Sequence, residues 1–85
     1  MEYVVVAFRS RAHTVGFHQF LSRYNVSSEI VNTPKEAGVG CGLSVKVSKN
    51  VFSAVKTAVS YSNYNSFAGF FLVKHVGGKR LVRSI

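Results

Sequence analysis

The apolar residues follow two different periods along the chain. Residues 2–8, Glu-Tyr-Val-Val-Val-Ala-Phe, form a short β-branched and aromatic run that predicts a buried strand. Phe17, Phe20, Leu21 and Tyr24 then recur at helical spacing, so residues 11–24 are expected as a helix with one apolar face. Ser10 is its expected cap and Asn25 its stop. Gly16, inside this helix, should weaken it by up to about 1 kcal/mol relative to Ala. Residues 27–32 read as a second strand. It ends at Asn32-Thr33-Pro34, where Pro34 lacks an N–H and pushes Thr33 toward an extended conformation. Residues 35–42, Lys-Glu-Ala-Gly-Val-Gly-Cys-Gly, read as a mobile loop. Leu43, Val45 and Val47 alternate with Ser44, Lys46 and Ser48, the pattern of a half-buried strand with its polar residues outward.

A second helix is expected after Ser48 or Asn50, running to about Tyr61, with Phe52, Val55, Ala58 and Val59 on one face. The polar segment 62–66 is a loop. Residues 67–76 are the most apolar run, followed by Gly77-Gly78 and then residues 79–84. Two strand-like runs around Gly-Gly predict a hairpin, because both turn residues can take positive φ. The charges of Lys79, Arg80 and Arg83 suit an edge strand and discourage edge-to-edge aggregation. The expected fold class is α+β: a ferredoxin-like βαββαβ sandwich, with an antiparallel sheet, two helices on one face and an added C-terminal hairpin strand.

Composition narrows what such a fold could do. The chain has 85 residues, which suits a single domain over 1–85. A domain of this size is marginal alone, and an exposed edge strand offers a route to a homodimer. No apolar run approaches the ~20 residues of a membrane span, and the N-terminus has no export pattern, so the cytoplasm is the expected compartment. The net charge of +8 is uneven: residues 37–85 hold seven bases and no acid. That half should attract anions, whether an acidic protein, phosphorylated small molecules or nucleic acid. Lys74, Lys79, Arg80 and Arg83 are the expected docking patch. The same charge also serves solubility.

Few residues qualify for chemistry. With no Asp and only three Glu, paired-carboxylate hydrolysis and Mg²⁺ cages are disfavoured. His13 and His18 are five apart, the wrong spacing for a metal pair on a helix, and His75 lies on a strand, so no metal or other cofactor is expected. A single Cys excludes an intramolecular disulfide. Cys41 itself is the strongest candidate. Gly40 and Gly42 on either side let a bulky partner approach the sulfur. Lys35 and a turn rich in backbone N–H groups are features expected to favour an anionic sulfur.

The segment Thr33-Pro34-Lys35-Glu36, followed by Gly40-Cys41-Gly42-Leu43, resembles the small family of selenium/sulfur carrier-like proteins. The likeness in element order extends over residues 2–73, and the basic hairpin at 77–85 departs from it. The resemblance implies that Cys41 accepts a persulfide or perselenide atom from a donor protein and yields it to an acceptor, with Pro34, Lys35, Glu36, Gly40 and Gly42 in support. It implies a carrier more than an enzyme with turnover. The alternative reading is a non-catalytic basic module that binds RNA or an acidic protein, with Cys41 incidental.

Overall fold

The computed structural model describes residues 1–85, and its elements follow the predicted order. They are β1 (Glu2–Phe8), α1 (Arg11–Arg23), β2 (Glu29–Asn32), β3 (Leu43–Ser48), α2 (Phe52–Ser62), β4 (Phe67–Val76) and β5 (Lys79–Ser84). Short 3₁₀ turns at Lys35–Ala37 and Lys49–Val51 precede β3 and α2. The five strands form one sheet in the order β2-β3-β1-β4-β5, and all neighbours are antiparallel. The chain is therefore α+β with two helices. Neither helix is long and apolar enough to cross a membrane.

Pairing sets which residues share a face. Val4 and Val6 of β1 point with Val45 and Val47 of β3 toward the helices, where they meet Phe17 and Leu21 of α1 and Val55 of α2. Phe8, at the end of β1, packs on Phe17 and meets Tyr64 and Phe67 edge-on. Burial of this aromatic cluster fixes where β1 hands over to α1. Ser10 caps α1 as expected, accepting from the His13 N–H at 3.2 Å. Tyr24 and then Asn25, at φ 61°, end the helix. Gly16 has a specific packing role: a Cβ there would lie 2.7 Å from the Tyr64 hydroxyl oxygen.

Three local expectations are corrected. The second strand starts at Glu29 rather than residue 27. Ser48 caps the 3₁₀ turn, and α2 starts only at Phe52 and runs to Ser62. Ser44, expected on an exposed polar face, is fully buried. The cause is a second apolar layer on the opposite face of the sheet, formed by Val5, Ala7, Phe71 and Val73 with Ala37 and Val39 packed against it. The Ser44 hydroxyl is satisfied there by the Thr33 hydroxyl at 2.7 Å.

Ala37 and Val39 belong to the segment read as a mobile loop. This segment leaves β2 at one edge of the sheet and crosses toward β5 at the other. The Arg80 guanidinium of β5 donates to both Glu36 carboxylate oxygens, at 2.7 and 3.0 Å. Pro34 is buried at the start of the crossing. Residues 33–42 are thus a strap laid over the sheet and pinned at its far side.

Candidate functional site

The strap returns to the sheet against the end of β1. The Cys41 N–H donates to the Phe8 carbonyl at 3.1 Å, and the Thr33 N–H donates to the Gly42 carbonyl at 2.9 Å, which closes the base of the strap. Gly40 adopts φ +97°, and a Cβ there would lie 3.3 Å from the Phe8 carbonyl oxygen. A side chain at position 40 would be strained in conformation and crowded by backbone. Gly42 adopts φ +95° but faces open space. The two glycines flanking Cys41 therefore share a left-handed backbone, and only Gly40 is also needed for close approach.

This geometry delivers Cys41, exposed, to the opening turn of α1. Its Sγ lies 3.7 Å from the Thr14 hydroxyl and 3.6 Å from the Leu43 carbonyl. Thr14 is fully buried, and its hydroxyl also lies 3.0 Å from the Ser10 carbonyl, to which it donates. A protonated sulfur can donate to the Leu43 carbonyl, and a negatively charged one can accept a hydrogen bond from the Thr14 hydroxyl once that hydroxyl rotates. The first turn of α1 has no acidic residue, and Arg9 and Arg11 flank its cap. A helix start of this kind favours negative charge placed beside it.

The other sequence-derived candidates are distributed around this point. Pro34 is buried at the start of the strap, and Lys35 is exposed on its first turn beside Gly38 and Gly40. The Glu36 carboxylate is turned to Arg80 rather than to the sulfur. The Arg80 hydrogen bonds, with a backbone hydrogen bond, hold it below the ordinary carboxylate range, and the same pair raises Arg80. The four basic residues of the predicted docking patch are split between the two faces of the β4–β5 hairpin. Arg80, paired in register with His75, faces the strap, while Lys74 and Arg83 line a shallow pocket with Leu72 and Leu81. Lys79 is paired in register with Val76. The three histidines have local partners: His13 with Ser66, His18 with Ser28 and His75 with Tyr3.

Sequence reasoning missed Thr14. A topological signal for it existed: β1 and β2 both pair antiparallel to β3, so they run in the same direction. The segment after β2 and the start of α1 must then lie at the same end of the sheet.

A sequence profile of the family described as "Putative Se/S carrier protein-like" matches residues 3–65, most of the chain. The chain belongs to this family. The match runs from β1 through α2, includes the strap and Cys41, and stops before β4, so the basic hairpin lies outside it. No curated protein and no solved structure matches the chain.

Proposed function

We propose that Cys41 carries a sulfur or selenium atom between a donor protein and an acceptor. The observation that carries this reading is the placement of the chain's single cysteine, exposed and flanked by glycines, at the opening of α1 in a member of a family named for Se/S carriage. In the sulfur version the Cys41 thiolate attacks the terminal sulfur of a donor persulfide. The donor's S–S bond breaks as the Cys41 S–S bond forms, and the donor leaves as a thiolate with no net change in oxidation state. An acceptor thiolate then attacks the outer sulfur and releases Cys41. With no second cysteine to resolve the intermediate, release depends on the acceptor. The selenium version differs only in the carried atom.

The hydroxyl of Thr14 and the acid-free start of α1 support negative charge on the carried atom. Lys74, Lys79 and Arg83 would speed encounter with an acidic donor or acceptor. We read the strand order as a ferredoxin-like sandwich extended by β5, in which the strap after β2 bears the working residue. The protein acts as a carrier rather than as an enzyme with turnover. The test is cyanolysis after incubation with a cysteine desulfurase and cysteine. Loaded wild-type protein should release thiocyanate in a 1:1 ratio to protein, and Cys41→Ser should release none. Equal thiocyanate from both proteins would overturn the assignment.

A further inference from the structure

The strand β5 closes one side of the sheet and has β4 as its only neighbour. Val76 pairs with Lys79, Lys74 with Leu81 and Leu72 with Arg83, and the Ile85 N–H donates to the Phe70 carbonyl at 3.1 Å. In an antiparallel ladder, residues that bond to one neighbour alternate with residues that do not. Lys79, Leu81, Arg83 and Ile85 therefore bond toward β4, and Arg80, Val82 and Ser84 turn their N–H and C=O groups outward. No other part of the backbone takes those groups. Every residue of β5 except the half-buried Val82 is exposed. Outward donors and acceptors along an exposed edge are a template for one more strand.

The side chains select which strand. Directly paired residues share a face, so Lys79, Leu81 and Arg83 stand with Leu72 and Lys74. Lys74 and Arg83 themselves line the shallow pocket there, with Leu72, Leu81 and Val82 as its apolar part. Glu2 also lines it, but it is held by Lys49 at 2.6 Å and faces Lys74 at 3.9 Å, so the bases outnumber it. Leu81 is 54% exposed between Lys79 and Arg83. An added strand sets its alternate residues opposite these three. The match is a segment that reads acid, any residue, apolar, any residue, acid. A second copy offers the wrong charge, because β5 has three bases and no acid, and pairing it with itself sets like charges together. Nucleic acid offers phosphates to the bases but also to the outward carbonyls, which an extended peptide meets with its own N–H groups.

We infer that β5 is a docking edge for an acidic, extended segment of a partner protein, which joins the five-stranded sheet as a further strand. Its main chain bonds to Arg80, Val82 and Ser84. Its carboxylates meet Lys79 and Arg83, on either side of an apolar residue against Leu81. This inference does not depend on Cys41.

The test uses three synthetic peptides, each titrated into the isotopically labelled full chain and followed by NMR with amide hydrogen exchange. The first carries Glu-Thr-Val-Thr-Glu at its centre, and the second has lysines in place of the glutamates. The third is the first with N-methyl groups on both threonines, the residues whose N–H groups would face the edge. The glutamate peptide should bind at least about tenfold more tightly than the lysine peptide and slow exchange of the Arg80, Val82 and Ser84 amides. The N-methylated peptide should lose this binding, because its charge does not replace the main-chain bonds. Lys79→Glu with Arg83→Glu, both at exposed positions, should reverse the preference between the glutamate and lysine peptides. Equal binding of those two peptides, undiminished binding of the N-methylated one, or unchanged exchange at the three amides would overturn the inference. So would protection of these amides at high protein concentration without peptide, which would make a second copy the occupant. Stronger protection by a single-stranded oligonucleotide would overturn it in favour of nucleic acid.

Discussion

At the scale of single residues, the candidate site is a cysteine held by its neighbours' backbone and faced by one buried hydroxyl. Thr14→Val keeps the shape of the side chain and removes the hydroxyl. It should cost about 1 kcal/mol in stability through the lost bond to the Ser10 carbonyl, measured by urea unfolding. It should also slow sulfur loading, whereas Thr14→Ser should restore loading. If Thr14→Val loads at the wild-type rate, the hydroxyl has no part in the reaction. Gly16 gives a second residue-scale prediction. Helix propensity alone says Gly16→Ala should stabilise by up to about 1 kcal/mol. The Tyr64 hydroxyl occupies the space the methyl group needs, so the variant should instead melt at or below the wild-type temperature. A clear rise in Tm would show that Tyr64 moves aside freely. The exposure of Cys41 was legible in the sequence because glycines flank it. Thr14 was not, because it is 27 residues away and only the parallel course of β1 and β2 joins them.

At the scale of elements, the strands and helices were legible because their periods are clean. The strap was not. Gly38, Gly40 and Gly42 signal irregular backbone, and they masked Val39 as an apolar anchor between them. The alternation in β3 reads as one buried face, although the strap buries the other face as well. The anchor at the far side, Glu36 to Arg80, spans 44 residues and has no local signature. Arg80→Gln should loosen the strap and make trypsin cleave after Lys35 several-fold faster, as read from the masses of early fragments. Unchanged cleavage would mean that Ala37 and Val39 hold the strap without the ion pair.

At the scale of the whole molecule, a small basic domain carries few acidic residues, and two of them are tied to bases. Hydrogen bonding to Lys49, aided by the charges of Lys49 and Lys74, lowers Glu2, and hydrogen bonding to Arg80 lowers Glu36. A lowered native value means that the folded state favours the ionised carboxylate. The stability gained is complete above the ordinary value of 4.5 and is lost as pH falls through the lower native value. The Tm of wild type should therefore exceed that of Glu36→Gln at neutral pH, and the two should converge as pH falls from about 5 to 3. A gap that persists at the acid end would show that the difference comes from packing and not from charge. The order of elements along the chain and the antiparallel character of the sheet were legible from the sequence. The division of basic residues between the two faces of the hairpin was not, because it depends on the register of β4 with β5.

The most direct test of the account is the mass of the Cys41-containing peptide after incubation with a cysteine desulfurase and cysteine, digested without reductant. The account predicts a gain of about 32 Da, one sulfur atom, on that peptide, lost on reduction and absent from Cys41→Ser. The same peptide unmodified, under conditions that load a known sulfur carrier, would contradict sulfur carriage by Cys41.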